Sequence, residues 1–311
     1  MMQVTNQILS NPVSRALNIL GDRWSILILR ESFLGRHKFE EFRSNTGAPR
    51  GTLSKRLESF VFHGILYKNP YQASPLRFEY RLTDIGVGLY PFALLVWQWE
   101  LQWAGGAKSA GVPPKLYHNA HGGHDLMPLA VCRHCQTPLR YQDVERIVNE
   151  NAETTSMKDL KAFGNQRRSR ENFRDDQQLE HITEIIGDRW TALIMGASFI
   201  GHRRYDDFRL QLGVATNILA DRLKMLTDVE IFSLHEYQSN PPRYEYHLTE
   251  KGESLYPMVM ALRQWVLDWL PKISHPFKLV HRSCGNALAT NVVCEDCHHP
   301  ALINEVRFAR T

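Results

Sequence analysis

The chain has 311 residues, of which 43% are hydrophobic and 23% charged, with a formal net charge of +4. This is the composition of a globular protein with room for two domains of ordinary size, each burying its own core. Its apolar runs stop near ten residues, as at 90–99, too short to span a bilayer, and residues 1–6 lack the basic-then-apolar order of a signal peptide, so no membrane partner and a cytoplasmic location are expected.

In chain order, apolar residues at helical spacing predict a helix over 14–20. Residues 24–34 are apolar nearly all round, the pattern of a buried central helix, which Gly35 ends. A short helix is predicted over 38–43. Gly47 and Pro49 then mark a turn and the start of a helix over about 49–62. Leu53, Leu57 and Val61 recur every four residues along it and face inward, leaving Arg50, Ser54, Lys55 and Glu58 outside. Residues 65–71 and 78–82 are rich in β-branched and aromatic side chains, and the connector 72–76 carries turn chemistry, so a hairpin follows. Thr83 is placed to cap a last helix that runs to about Trp103.

The pattern then recurs. Residues 19–103 lie on 185–269 at a constant offset of 166 with no gap, and 33 of the 85 aligned positions are identical. Gly-Asp-Arg-Trp occurs at 21–24 and 187–190, and Arg-x-Glu-Tyr at 77–80 and 243–246. A repeat this long is a duplicated domain, since solenoid repeats run at periods of about 20–50 residues. In the second copy the predicted elements are helices at 191–200, 205–210 and 216–227, a hairpin over 231–248 and a helix over 250–270. Three helices and a two-stranded hairpin make a winged helix-turn-helix: a short helix props an exposed one that fits a major groove, and the hairpin tip reaches the neighbouring backbone. The fold class is therefore mainly α with small β-hairpin wings, an α+β protein. Its expected parts are winged domains at 1–104 and 181–270, Cys/His units at 113–140 and 276–311, and a polar linker with an entry helix at 141–180. Within that linker, Arg167, Arg168 and Arg170 are read as solvated, with weak DNA contact as the other reading.

The five cysteines are odd in number, and four form two Cys-x-x-Cys pairs, which favours metal ligation over a disulfide framework. His118 and His121 precede Cys132 and Cys135; His281 and Cys284 precede Cys294 and Cys297. Each set is four ligands in two pairs, the pattern of a small zinc ribbon, and four ligands argue for closed, structural zinc. Reduced cysteines packed as small hydrophobes are the alternative, and His124, His134, His298 and His299 are alternate ligands.

The ordered set of Gly-Asp-Arg-Trp, apolar helix, Phe-x-x-Phe-Arg, Leu-x-x-Arg-Leu and Pro-x-Arg-x-Glu-Tyr-x-Leu-Thr resembles the HxlR-type family of winged helix-turn-helix regulators. The second copy, with Gly213 to Leu223, is the closer match. The resemblance implies a transcription regulator that binds double-stranded DNA, and either an intramolecular pseudo-dimer or a homodimer. Trp97, Trp99, Trp103, Trp265 and Trp269 are read either as interface or as intradomain core. Many relatives carry a redox-sensing cysteine just before the first helix; Asn11 and Gln177 stand there, so that switch is not implied.

On this reading Arg50, Thr52, Ser54, Lys55 and Arg56 form the first recognition surface and Thr216, Asn217 and Arg222 the second, with Arg77 and Arg243 at the wings. Arg50 suits guanine and Asn217 adenine, while Lys55 and Arg56 suit phosphate. For Arg56 and Arg222 an internal ion pair is the competing reading. Residues 36–82 hold nine Lys/Arg against four Asp/Glu, whereas 202–248 hold six against seven, so the first copy is the better polyanion binder. No phosphate loop, nucleophile elbow or catalytic constellation is present in the sequence, so no enzyme is expected; a protein-interaction scaffold is the alternative function. The sequence names no effector.

Overall fold

The computed structural model describes residues 11–104, 112–148, 180–271 and 277–308. The run at 167–170 and Gln177 lie outside the described residues. The first half folds as α1 (Pro12–Leu20), α2 (Arg23–Phe33), α3 (Phe39–Thr46), α4 (Arg50–Phe62), β1 (Leu66–Ala73), β2 (Leu76–Leu82), α5 (Asp84–Val87), α6 (Tyr90–Trp103), β3 (Leu116–His118), β4 (His124–Asp125), β5 (Pro128–Cys132) and β6 (Val144–Val148). After α7 (Glu180–Ile186) the second half repeats it as α8 (Arg189–Phe199), α9 (Tyr205–Leu212), α10 (Thr216–Asp228), β7 (Phe232–Ser239), β8 (Pro242–Leu248), α11 (Glu250–Glu253), α12 (Tyr256–Trp269), β9 (Phe277–His281), β10 (Thr290–Cys294) and β11 (Val306–Phe308).

Local chemistry explains these boundaries. Asp22 and Asp188 cap α2 and α8, their carboxylates accepting from the Ser25 and Thr191 amides at 3.2 and 3.0 Å. Gly47 and Gly213 end α3 and α9 in the left-handed region, at φ 69° and 58°. Thr83 and Thr249 accept from the Gly86 and Gly252 amides, as a capping residue must. The helix expected after each cap is broken, because Pro91 and Pro257 lack the amide that would continue it and instead open α6 and α12. In α4 the inward positions are Leu53, Leu57 and Phe60, all fully buried, while Val61 is only half-buried; a 3.6-residue period puts the third contact at i+7 rather than i+8.

Two compact units result, and each draws on both halves of the sequence. The first-copy unit comprises Ile19–Pro128, Gln178–Gly187 and Val293–Thr311. Its core holds Phe42, Leu53, Leu57, Phe60 and Ile65. Helix α7 is seated by Glu100, whose carboxylate accepts from the His181 and Ile182 amides at 3.3 and 3.0 Å. Burial pushes the Glu100 carboxyl up, against those bonds and the nearby His181. Strands β11, β3 and β4 form a three-stranded antiparallel sheet.

The second-copy unit comprises Met1–Asn18, Leu129–Gln177 and Asp188–Val292. Phe208, Leu219, Leu223, Leu226 and Ile231 repeat the first core position by position, again fully buried. Asn11 caps α1 by accepting from the Ser14 amide at 3.0 Å. Residues 144–148, expected to be linker, are strand β6, which pairs antiparallel with β9 from Val144↔His281 to Val148↔Phe277. The exposed Ile147 and Val148 alternate with charge too weakly to read as a strand alone; the partner strand supplies the hydrogen bonds. Trp97, Trp99 and Trp265 are buried in their own units, whereas Trp269 is 41% exposed.

Candidate nucleic-acid interface and metal centres

The recognition helices present their first turns outward. Arg50 opens α4 with its side chain 71% exposed, 3.5 Å from Glu40 and over the ring of Phe39. Lys55 is exposed and, among the described residues, makes no ion pair; Thr52 and Ser54 are half-buried. In α10, Thr216 and Asn217 are exposed. Further along, Lys224 is paired with Asp228 at 2.6 Å. Arg77 and Arg243 are exposed at the start of β2 and β8, opposite Gln72 and Gln238.

Arg56 and Arg222 do not belong to that surface. Arg56 turns onto Asp22 at 3.2 Å, and Arg222, 8% exposed, forms a bidentate pair with Asp188 at 2.9 and 3.0 Å and also meets Asp221. The same carboxylate thus caps the central helix and holds the recognition helix, the internal ion pair that was the competing reading for both arginines. The Asp188 carboxyl is held below its usual range: burial pushes it up, but the Arg222 pair and the Thr191 bonds outweigh that. Lys38, stacked on Tyr71, and Lys68, on Phe78 and Tyr80, add cations to the first wing that the sequence reading did not single out. The clue was their place on the strand and its approach rather than any motif.

The Cys/His residues form two clusters, and neither is the set expected from sequence order. His118, His124, Cys294 and Cys297 meet in the first-copy unit; Cys132, Cys135, His281 and Cys284 meet in the second-copy unit. In each, all four ligand atoms lie within 4.8 Å of one another. His124 Nε2 is 3.2 Å from Cys294 Sγ, and His118 Nδ1 is 3.5 Å from Cys297 Sγ. In the other cluster, His281 Nδ1 is 3.3 Å from Cys135 and 3.6 Å from Cys284, and Cys132 and Cys284 are 4.0 Å apart. Tetrahedral coordination with bonds of about 2.3 Å to sulfur and about 2.0–2.1 Å to nitrogen sets ligand–ligand edges of roughly 3.3–3.8 Å, so both donor sets fit such an ion.

Three of the four pairs are tight knuckles. The amides of Gln136, Gly285 and His298 donate back to the carbonyls of Cys132, His281 and Cys294, and each of the three has a positive φ. The fourth pair, which brings in the alternate ligand His124, is built differently. The Asn119 amide donates to Glu305 O at 2.8 Å, a single 3-10 turn covers Ala120–Gly122, and His124 sits opposite His118 in the β3–β4 pairing. The side chain of His121 lies outside the described set. Second contacts support the ligands: Glu305 faces His118 Nε2 at 3.8 Å. The Cys135 thiol is pulled down to about 6, first by the Thr137 hydroxyl and amide, which favours the thiolate a metal requires.

Two winged helix-turn-helix heads and two four-donor clusters in one chain define a tandem DNA-binding-type protein with side units that could hold a metal ion. The chain belongs to the HxlR-like helix-turn-helix family, whose profile matches residues 19–108 and 185–274. It is 39% identical over 124 residues to the uncharacterized HTH-type transcriptional regulator Mb3122 of Mycobacterium bovis, covering 40% of this chain and 78% of that protein. It is 31% identical over 97 residues to the uncharacterized HTH-type transcriptional regulator sll1512 of Synechocystis, covering 31% of this chain and 72% of that one. Among solved structures, PA1607, a proposed transcription factor, is 35% identical, with a TM-score of 0.37, over 41% of this chain and 90% of that chain. Among the described residues no helix is long and apolar enough to cross a membrane.

Proposed function

We propose that the chain is a sequence-specific regulator that reads double-stranded DNA through the exposed turns of α4 and α10 and contacts backbone through the wings. The observation that carries this reading is the sorting of cations on α4. Arg50 and Lys55 project into solvent, while Arg56, one residue on, is committed to Asp22. An outward cation at the first turn is placed to meet a base edge, and the next along the face to meet phosphate. Anisotropy binding to the chain's own upstream DNA and to a scrambled duplex, across a salt series, tests it. Preference for the native duplex is expected, and Arg50→Ala with Lys55→Ala should weaken binding and flatten the log–log salt slope by about 1. Equal affinity and slope in wild type and double variant would remove α4 from the reading surface.

A second reading applies to α10. Its basic residues are neutralised within the unit, Arg222 by Asp188 and Lys224 by Asp228. The second copy then adds specificity through Asn217, or serves as an interaction scaffold, and Asn217→Ala separates the two by changing base preference or leaving it intact. Whether the chain acts as an internal pseudo-dimer or a homodimer is decided by light scattering on the DNA-bound protein.

Both clusters are proposed to hold structural zinc. Zinc with four protein ligands is closed and stabilises the turns that bear them. About two zinc per reduced chain is the expected metal content, and well under one would reject the assignment.

A further inference from the structure

The second-copy unit contains a cavity with about 70 Å³ of free space, lined by residues of α1, α8, α12, β6 and β9. On that scale a water takes about 10–15 Å³, so the space holds about five to seven waters. Most of the wall is apolar, with Leu17, Leu193, Phe199, Val259 and Met260 contributing. Arg263 also lines it and is only 8% exposed. Its Nη1 donates to Leu288 O at 3.3 Å, and among the described residues its Nε has no hydrogen-bond partner and Tyr256 is its one electrostatic neighbour. Among the described residues no carboxylate pairs with it. An isolated buried cation is costly unless something neutralises it.

The equivalent place in the first copy shows what has changed. There a cavity of the same free volume, about 70 Å³, is lined by Trp97, which donates to Pro113 O at 2.7 Å, and by Arg30, bound to the buried Glu31 at 2.8 Å. In the second copy Trp97 becomes Arg263, and Arg30 and Glu31 become Gly196 and Ala197. The ion pair is gone, a lone cation has arrived, and a Cβ on Gly196 would meet nothing within 4 Å. Gly196 is helical and costs α8 stability relative to alanine, so the emptiness is not there for the helix.

We propose that this cavity binds an aromatic monocarboxylate, its carboxylate paired with the Arg263 guanidinium and its ring in the space beside Gly196. Arginine and carboxylate match as a two-bond fork, and a mostly apolar pocket with a few convergent polar groups, here Arg263 with Arg146 also on the wall, is the usual form of a small-molecule site. Neither feature depends on the chain binding DNA.

Calorimetric titration of the intact protein with benzoate, and with neutral benzamide of the same shape, tests the site. One benzoate per chain should bind, at least about tenfold tighter than benzamide. Arg263→Met should remove the preference for the acid, and Gly196→Leu should abolish binding of both. Arg263→Met is expected to melt higher than wild type, because an unpaired buried charge is removed, so loss of binding would not reflect loss of fold. If that variant does not fold, Gly196→Leu decides alone, as it fills the space without touching the charge. Wild type that treats benzoate and benzamide alike, benzoate binding that survives Gly196→Leu, or no binding at about 20 mM would overturn the proposal.

Discussion

Asp22 and Asp188 each do two jobs, and the second copy depends on its carboxylate more heavily. Asp188 and Arg222 are both mostly buried, with side chains 13% and 9% exposed, against 16% and 28% for Asp22 and Arg56. Removing one partner of a buried pair costs about 3–5 kcal/mol, whereas losing a cap alone costs about 1 kcal/mol. Asp188→Ala should therefore lower the melting temperature clearly more than Asp22→Ala does. The pair also sets an acid limit. The folded Asp188 carboxyl lies below its ordinary value of 3.8, so its contribution is complete above about that pH and is lost as pH falls through the folded value. In acid titrations followed by circular dichroism, Asp188→Asn should flatten the loss of stability below pH 3.8. An unchanged acid limb would show that other carboxylates dominate it.

At the scale of elements, the wing depends on one close approach. A Cβ added at Gly86 would fall 2.2 Å from Ile65 O, and at Gly252 2.4 Å from Ile231 O; both targets are backbone, which cannot rotate aside. Gly86→Ala and Gly252→Ala should each destabilise their head by at least about 1–3 kcal/mol, the usual cost of overpacking, and denaturant melts would show it. A loss under half that size would mean that the hairpin slides freely over its capping turn. Most such elements were legible in the sequence, because caps, turn glycines and helical periodicity act within a few residues. Thr83 and Gly47 could be read this way, whereas the cap at Asp22 came only with the structure. Pro91 was visible too, but its break in the last helix was missed. Strand β6 was hidden, since its stability comes from β9 more than 100 positions away. His124 was visible only as an alternate ligand, because its place beside His118 is set by strand pairing rather than by spacing. A His-x-x-His spacing suits a knuckle, whereas here the Asn119 amide bonds Glu305 O and His124 stands opposite His118 across the strands. Arg56 and Arg222 were ambiguous, as an amphipathic helix does not reveal whether a flanking cation bends back onto a cap or reaches outward.

For the whole molecule, the crossed pairing of the metal ligands is what sequence order could not supply, and it is directly testable. Cys135 and Cys284 belong to one cluster, and Cys297 to the other. With two zinc bound, Cys135→Ser with Cys284→Ser should leave about one metal per chain, and Cys284→Ser with Cys297→Ser should leave almost none. Ligands grouped in chain order would give the opposite results. The same crossing has a consequence in time. In the first-copy unit, β3 waits for β11, with Val306 opposite His118, 188 positions later by subtraction. At about 5–20 residues per second of synthesis, that strand edge stays open for roughly 10–40 s, long after the first reading helix has emerged. Contacts this distant in sequence also close slowly. A nascent chain therefore exposes an incomplete first head throughout the synthesis of the second, and premature termination leaves an unpaired edge for proteases and aggregation rather than a finished reading head.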